Sequence, residues 1–306
     1  MAKKIFFGNY KGGVGKTTSA FSVAHYMARD FQKKVLLIDI DPQSSLSEIC
    51  LRSTGQGGTL EEIPANETLN YVYDLSIKCI RHPNIDLVFE NDKLIKNSKY
   101  DNVYYIVSSL RYESNLGLDE LSMKMKNEIE YFSILPKLLK SLDSSNFDYI
   151  LIDCPPTSNI ITQSAFLLSD FYVIPTIEDG ISTNGVLHYI ETVGKTYDKY
   201  CSKTFDDYLL YRHFFGSKPK LLGIFYTLSR AQVNYTNIEA EFDNALRNYK
   251  LPEKNIYVFR NQTDNYVDIA RAIAKGDVID KTNRAGKIGY KEITSEMISR
   301  IATLGG

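Results

Sequence analysis

Short apolar runs alternate along the chain with longer amphipathic stretches. The apolar runs, which predict buried strands, are Lys4–Gly8, Lys34–Asp41, Asp148–Pro156, Phe171–Thr176, Lys220–Thr227 and Asn255–Phe259. The amphipathic stretches, which predict helices, are Lys16–Asp30, Thr183–Tyr200, Gln232–Tyr249, Asp264–Lys275 and Tyr290–Leu304. Strands that alternate with helices are typical of a doubly wound α/β fold, in which helices flank a mainly parallel sheet.

The segment from about residue 51 to residue 100 differs from the rest of the chain. It is polar, it contains the run STGQGG, and its periodicity is weak. We therefore predict a single domain over residues 1–306, with an irregular elaboration of loops and short helices at about residues 51–100.

Charge and cysteine content exclude several classes of protein. The 36 Lys and Arg residues against 37 Asp and Glu residues give a net charge of −1, which excludes a strongly basic nucleic-acid binder but allows a local basic patch. The four cysteines show no CxxC spacing, which argues against a disulfide framework or a metal cluster. Since no signal peptide or membrane-length apolar run is present, we expect a cytoplasmic protein.

The run YKGGVGKTT lies between a predicted strand and a predicted helix. Its glycines allow backbone N–H groups to turn toward a phosphate, and the helix N-terminus adds a positive dipole end. Lys16 is predicted to contact the β- and γ-phosphates, and the Thr17 hydroxyl to bind Mg²⁺. Tyr10 stands where the strict GxxxxGK[ST] pattern has its first glycine. The residues predicted to surround the nucleotide are Lys11, Gly12, Gly13, Val14, Gly15, Lys16, Thr17 and Thr18.

Acidic residues follow two of the predicted strands. Asp39 and Asp41 belong to LLIDIDPQ, and Asp153 belongs to ILIDCPP. A single acid at such a place is usually a cap or turn residue. Three acids at two strand ends, in a chain with a phosphate loop, instead indicate a Mg²⁺ site at the ligand-binding edge of the sheet.

Lys11 is a second lysine in the same loop and needs its own explanation. It is either a solvated surface lysine or a residue that reaches the phosphates of a second subunit docked face to face. At about 4 Å and an effective dielectric constant near 20, one such contact has a Coulomb energy of about 4 kcal/mol before desolvation. The second interpretation ties hydrolysis to dimerisation, as an arginine finger does when it acts in trans.

Together, KGGVGKTT, LLIDIDPQ and ILIDCPP resemble the motifs of the deviant Walker A ATPases of the ParA/MinD family. The later run IPTIEDGISTNG is similar to ParA-type partition ATPases that lack an N-terminal helix-turn-helix domain. The resemblance covers nearly the whole chain. It implies a P-loop ATPase that uses ATP and Mg²⁺.

The resemblance also implies roles for single residues. Lys11 would cross the dimer, Lys16 and Asp41 would act in hydrolysis with Asp41 orienting the attacking water, and Asp39 and Asp153 would support Mg²⁺. Relatives often read Ile-Pro-Arg-Asn where this chain reads Val258-Phe-Arg-Asn261, which implies adenine contacts for Phe259 and Asn261.

ParA-type proteins form ATP-bound sandwich dimers that bind DNA without sequence preference, and a centromere-binding ParB-type partner stimulates slow ATP hydrolysis. The resemblance therefore implies a homodimer on the nucleoid that segregates DNA. The residues expected to contact DNA are Arg230, Arg260, Lys275, Arg284 and Lys287, with Lys281 and Lys291 close to them in the sequence. For each of them, a solvated surface charge is an equally good explanation.

The main alternative is a MinD-like ATPase that associates with the membrane. Such a protein needs a basic amphipathic tail, whereas the last segment mixes acids with bases and contains neither Trp nor Phe. A metal-cluster protein of the same superfamily lacks the required paired cysteines, and a tyrosine kinase lacks the required tyrosine tail. A binding module without catalysis would leave Lys11 and Asp41 idle.

Overall fold

The computed structural model describes residues 1–54, 58–82, 91–110, 116–177, 182–229, 256–264, 267–278 and 289–305. Seven strands form one sheet: β1 (Lys3–Phe7), β2 (Val35–Asp39), β3 (Lys96–Asn97), β4 (Val103–Ile106), β5 (Tyr149–Asp153), β6 (Phe171–Ile177) and β7 (Lys220–Thr227). The strand order is β3-β4-β2-β5-β1-β6-β7. All neighbours are parallel except the short edge strand β3, which runs antiparallel to β4.

Helices cover both faces of this sheet. They are α1 (Lys16–Phe31), α2 (Ser45–Ser53), α3 (Leu69–Arg81), α4 (Asn91–Leu94), α5 (Leu118–Met123), α6 (Ile129–Phe132), α7 (Ile134–Ser141), α8 (Ile160–Leu168), α9 (Ser182–Cys201), α10 (Tyr208–Phe215), α11 (Val267–Ile273) and α12 (Tyr290–Gly305). The predicted fold class, a doubly wound and mainly parallel sheet flanked by helices, is confirmed.

Alternating residues of the central strands divide the core into two layers. In β1, Phe6 points into one layer, while Ile5 and Phe7 point into the other. The first layer is built with α3 to α10, and the second with α1, α2, α11 and α12. A strand that is buried on both faces reads as an almost continuous apolar run, which is why these strands were recognisable in the sequence.

Two predicted elements near the C-terminus turn out differently. Instead of a strand over Asn255–Phe259, residues 256–259 make one isolated parallel bridge between Val258 and Ile224 of β7. The helix predicted over Asp264–Lys275 corresponds to α11, which ends at Ile273, and Asp264 forms a bridge to Ser229 instead. The predicted helix Gln232–Tyr249 lies outside the described residues.

The elaboration at about residues 51–100 is more regular than predicted. It contains α3, a helix of 13 residues whose Leu69, Val72, Tyr73 and Ile77 are buried in the first layer. Beyond it, β4 joins the sheet beside β2. Polar Asn70, Asp74 and Ser76 are buried on α3 beside these apolar residues, so the sequence pattern understated how firmly this segment belongs to the core.

Candidate functional site

The phosphate loop connects β1 to α1 and has an open surface at its glycines. Gly13 and Gly15 have φ angles of 72° and 73°, a left-handed conformation that side chains other than glycine rarely adopt. At Gly12 and Gly13, a Cβ atom would meet nothing within 4 Å. The backbone is therefore exposed where a phosphate is expected to lie, directly before the N-terminus of α1.

The other residues of the loop fasten it to the sheet. The carbonyl of buried Val14 accepts a hydrogen bond from the Thr227 hydroxyl at 2.8 Å, which ties the loop to the end of β7. Buried Asn9 donates to the carbonyl of Pro175 in β6 at 2.9 Å and accepts from the backbone N–H of Lys11 at 3.0 Å. The sequence interpretation missed Asn9, because an Asn after a strand carries no distinctive signal.

The structure gives a reason for tyrosine at position 10. The Tyr10 ring packs edge-on against Tyr189 of α9, with ring centroids 4.8 Å apart. Gly8 makes room for this contact, since a Cβ there would lie 1.9 Å from the Tyr189 hydroxyl. Tyr10, which stands where the strict pattern has its first glycine, thus anchors the front of the loop to α9.

Lys16 is the first residue of α1 and is 7% exposed. Its Nζ donates to the carbonyl of Lys11 at 3.2 Å. Burial lowers the pKa of Lys16, while the charges of Asp153 and Asp41 act in the opposite direction. The buried positive charge of Lys16 favours the approach of an anion to the loop. Lys11 itself is half-buried.

The acidic residues meet at the carboxyl ends of neighbouring strands. Asp39 and Asp153 stand opposite each other in the pairing of β2 with β5, and Phe7, the last residue of β1, pairs with Asp153 on the other side. The sheet therefore places both acids beside the start of the phosphate loop, as the sequence predicted from the ends of the strands.

Asp39 is 1% exposed, and donors already surround its carboxylate. It accepts hydrogen bonds from the Ser47 backbone and hydroxyl, both at 2.7 Å, and from the Asp41 backbone at 3.0 Å. Burial raises its pKa to about 6, against the effect of these donors. Ser47 in turn contacts Ser108, which donates to the hydroxyl of Ser44. The sequence interpretation missed this serine network, because Ser108 lies 61 residues after Ser47 in the chain.

Asp153 is fully buried, and neither carboxylate oxygen has a hydrogen-bond partner within the described part of the chain. Burial raises its pKa well above the usual range, and the charge of Asp39 adds to this, while the Thr17 hydroxyl acts in the opposite direction. Asp41 is half-exposed, and its carboxylate accepts the backbone N–H of Gln43 at 2.9 Å.

These residues fit a nucleotide phosphate with Mg²⁺. A buried carboxylate without a hydrogen-bond donor is costly, and among the described residues Asp153, beside Thr17 and Lys16, is such a group, so a further cation would lower this cost. Among the described residues, no group of three or more His, Cys, Asp or Glu side chains could hold a metal ion alone. This agrees with Mg²⁺, which usually takes one or two carboxylates together with phosphate oxygens and water. The four cysteines are free thiols.

The two residues predicted to contact adenine differ in accessibility. Phe259 is 0% exposed and packs edge-on against Phe225 and Tyr257, so its ring belongs to the core and presents no surface to a base. Asn261 is half-buried, and its amide donates to Glu296 of α12 at 2.8 Å. Of the two, Asn261 alone offers an accessible side chain.

The predicted DNA contacts are only partly described. Arg260, Lys275 and Lys291 are exposed, and Lys291 lies 3.8 Å from Asp30. Arg230, Lys281, Arg284 and Lys287 lie outside the described residues. That these basic residues form one surface for DNA therefore stays a prediction.

Within the described residues, no helix combines the length and the apolar character that crossing a membrane requires.

Comparisons with known proteins show what this chain is similar to. Residues 2–205 match a family model described as "AAA domain". Over 200 residues the chain is 30% identical to a virulence plasmid ParA family protein of Chlamydia psittaci, a match that covers 64% of this chain and 66% of the relative. Over 194 residues it is 30% identical to the sporulation initiation inhibitor protein Soj of Bacillus subtilis, covering 63% of this chain and 65% of the relative. The matches thus span just under two thirds of each relative's length.

A solved structure has the same fold over almost its whole length. The ATP complex of an McdA variant from Cyanothece aligns with a TM-score of 0.64 at 20% identity, over 99% of this chain and 96% of that chain. At this level of identity, the likeness concerns the fold.

Proposed function

Because the chain belongs to the ParA/MinD family of P-loop ATPases, we propose that it is a Mg²⁺-dependent ATPase switch that segregates DNA in the cytoplasm. The observation that carries this proposal is the fully buried carboxyl group of Asp153, which has no hydrogen-bond partner among the described residues and lies beside the open phosphate loop. A site of this kind suits a Mg²⁺ ion and a nucleotide phosphate that bind together.

ATP binding draws on four features of this chain. The backbone N–H groups around Gly12 and Gly13 and the N-terminus of α1 face the phosphates. Lys16 contributes a buried positive charge to the β- and γ-phosphates. The Thr17 hydroxyl and Asp153 would hold Mg²⁺, and the bound ion would contribute positive charge to the same phosphates. Asp39, with its oxygens already hydrogen-bonded, fixes the shape of this edge.

Hydrolysis requires a water molecule in line with the γ-phosphate and compensation of the charge that develops on it. Asp41 is half-exposed just beyond the end of β2 and orients that water. Lys16 compensates the charge within the subunit, and Lys11 of a second subunit does so across the dimer. The groups assigned here to hydrolysis do not include a strong general base, which fits slow intrinsic turnover that a partner accelerates.

The cycle then couples nucleotide to DNA. ATP holds two subunits as a sandwich, the dimer binds DNA of any sequence on the nucleoid, and a ParB-type centromere-binding protein stimulates hydrolysis and release. Doubling a modest basic surface strengthens the electrostatic attraction to DNA, because each phosphate contact releases counterions.

The first test is binding to a random-sequence DNA duplex with ATP, with ADP and without nucleotide, each at low and moderate salt. We expect binding only with ATP, and weaker binding at the higher salt concentration. Lys16→Ala serves as the control and should not bind DNA in any nucleotide state. If no nucleotide gives binding, the proposal fails, and binding to anionic liposomes becomes the test of the MinD-like alternative.

A further inference from the structure

A cleft of about 340 Å³ opens at the start of β7, and none of the residues assigned above to the nucleotide lines it. We call it the β7 cleft; its lining residues are Lys218, Pro219, Lys220, Leu221, Tyr257, Arg300 and Leu304. Three of these residues are basic and none is acidic. The chain as a whole has a net charge of −1, so the cleft differs in charge from the molecule around it and favours an anionic ligand.

The remaining lining residues give the cleft an apolar wall. Pro219 is buried, and Leu221 and Leu304 are half-buried. The ring of Tyr257 packs edge-on against Phe259, with ring centroids 5.5 Å apart, so the core fixes its position. A ligand that carries charge alone, such as a phosphodiester or an inorganic anion, would leave this wall exposed to water. The lining therefore suits a ligand with apolar groups beside its anionic groups.

Arg300 is held in a fixed position in the cleft. Its guanidinium lies 3.9 Å above the ring of Tyr257, and its Nε donates to the carbonyl of Leu222 at 3.2 Å. Among the described residues Arg300 forms no ion pair, because the neighbouring Glu296 carboxylate is engaged with the Tyr257 hydroxyl and two further donors. The terminal N–H groups of the guanidinium are therefore available, which suits a contact with both oxygens of a carboxylate.

Two lysines complete the charge of the cleft. Lys220 is exposed, and its Nζ donates to the carbonyl of Leu304 at 2.6 Å. The Nζ of Lys218 lies 3.4 Å from the carboxylate of Asp198, whose side chain is 65% exposed. An ion pair this open to solvent is weak, so Lys218 still contributes most of its charge to the cleft.

The β7 cleft lies at the end of the sheet opposite to the phosphate loop. Lys220 is the first residue of β7, and Thr227, which holds the phosphate loop, is the last. A strand rises about 3.3 Å per residue, so roughly 20 Å separate the two sites. Two subunits that dock through their phosphate loops leave both clefts uncovered. The cleft therefore suits a ligand that stays bound in every nucleotide state, and not a contact that appears only with ATP.

An acidic protein segment and an anionic lipid both combine apolar with anionic groups, and the packing of α12 favours the protein segment. The apolar residues Ile293, Met297 and Ile301 of α12 are 0%, 0% and 5% exposed because they face the second core layer. These side chains are therefore not available to insert between lipid chains, as those of a membrane-binding helix must be.

We propose that the β7 cleft binds an acidic segment of a partner protein in which apolar side chains stand next to the carboxylates. The Arg300 guanidinium pairs with one carboxylate, while Lys218 and Lys220 attract those that flank it. An apolar side chain of the segment covers Leu221 and Leu304. Clusters of basic side chains recognise acidic motifs in this way. The inference goes beyond the proposed function, because this contact needs neither ATP nor DNA.

The first experiment identifies a probe peptide. An array of short synthetic peptides, which contain Glu and Asp in varied order with Leu and Phe, is incubated with the labelled full-length protein. Two matched arrays replace every acid by Lys, or every Leu and Phe by Ser. We expect the acidic apolar peptides to retain the protein, the Ser array to retain it weakly and the Lys array not to retain it, since the cleft requires both charge and apolar contact.

The second experiment measures the affinity for the most strongly retained peptide by fluorescence anisotropy. The wild type is compared with the Lys218→Gln/Lys220→Gln double variant. We expect this variant to bind on the order of tenfold more weakly near 0.1 M salt, because two charged groups that face the carboxylates are lost. The affinity of the wild type should be the same with ATP, with ADP and without nucleotide, because the nucleotide site is remote.

The matched control is Lys126→Gln/Lys140→Gln, which removes the same charge from two exposed lysines elsewhere in the described chain. It should keep the wild-type affinity for the peptide. Arg300→Lys keeps the charge but loses the planar fork, and it should also weaken binding. Thermal unfolding of each variant shows whether a loss of binding comes from a loss of folding.

The outcomes separate this inference from the proposed function. If no acidic peptide is retained, or if the cleft variant binds the peptide as tightly as the wild type, the cleft assignment is wrong. Equal retention by the Ser array, or an equal loss in both double variants, also overturns it, since either result shows only a general attraction of anions.

If the wild type binds anionic liposomes through Lys218 and Lys220 but binds no peptide, the assignment to a partner protein fails. The cleft variant should still bind DNA with ATP. A failure of the DNA test with intact peptide binding would overturn the proposed function and leave this inference in place.

Discussion

Asp153 shows how a single residue prepares the free protein for its ligand. Its carboxylate is fully buried, and no hydrogen-bond donor among the described residues satisfies it. Burial raises the pKa of Asp153 well above its usual range and that of Asp39 to about 6. The folded protein therefore binds these protons more tightly than the unfolded chain does. Their contribution to stability is present at about pH 4 and is lost as the pH rises toward and beyond 6.

We predict that Asp153→Asn makes the nucleotide-free protein more stable at pH 7.5. The neutral amide removes the buried charge, so the free energy of unfolding should rise by on the order of 1 kcal/mol, and the difference should shrink near pH 4. Affinity for ATP with Mg²⁺ should fall in the same variant. Urea unfolding at both pH values and a nucleotide titration check these expectations.

Asp41→Asn is the control for this effect, because Asp41 is half-exposed and should give no comparable gain in stability. A gain in Asp153→Asn that is equal at both pH values would show that the buried charge is not its cause.

Among the secondary-structure elements, α12 is hydrogen-bonded to residues 256–261, the segment that contains the isolated bridge to β7. The Glu296 carboxylate accepts hydrogen bonds from the Tyr257 hydroxyl at 2.5 Å, the Arg260 N–H at 2.9 Å and the Asn261 amide at 2.8 Å. Because residues 256–261 make only one bridge to the sheet, this carboxylate is their main polar connection to a helix. It also orients Asn261, the accessible residue predicted to contact adenine.

We predict that Glu296→Ala lowers the free energy of unfolding by about 2 kcal/mol, since three donors lose a charged acceptor. ATP affinity should fall as well, because Asn261 is no longer held. Thermal unfolding and a nucleotide titration measure the two effects. Glu292→Ala, an exposed residue one turn earlier on α12, should change neither, and similar values for the two variants would exclude a special role for Glu296.

For the whole molecule, the proposed mechanism depends on whether Lys11 acts within its own subunit or across a dimer. We predict that Lys11→Ala retains ATP binding and loses stimulated hydrolysis, and that Asp41→Ala also loses hydrolysis. In a mixed dimer, the site on the Lys11→Ala subunit would contain an intact Asp41 and receive Lys11 from its partner. That site is complete, whereas the other one lacks both groups.

Mixing the two inactive variants in equal amounts should therefore restore about a quarter of the wild-type turnover, since about half of the dimers are mixed and each has one complete site. The measurement is steady-state phosphate release with DNA present. Recovery should be absent when either variant is mixed with itself. No recovery in the mixture would show that Lys11 acts within its own subunit, and full turnover by Lys11→Ala alone would remove the residue from the mechanism.

The parts of the site that were predictable from sequence are those encoded by local patterns. Each of the strands β1, β2 and β5 is one uninterrupted apolar run, and the glycines before Lys16 follow directly after β1. The order of strand, loop and helix could therefore be predicted from the sequence. The place of Asp39 and Asp153 followed from the same patterns, because parallel strands end at one edge of the sheet.

Tertiary structure alone decided the properties that depend on residues distant in the chain. It buried Phe259, left Asp153 without a hydrogen-bond partner among the described residues, joined Ser44, Ser47 and Ser108 into a network, and brought Arg300 to Lys220. Burial, desolvation and charge pairing depend on which surfaces meet after folding, and one-dimensional patterns do not contain that information. The sequence by itself therefore determined the fold class and the phosphate loop, while the packing of the sheet and its helices determined which charges are buried, paired or available.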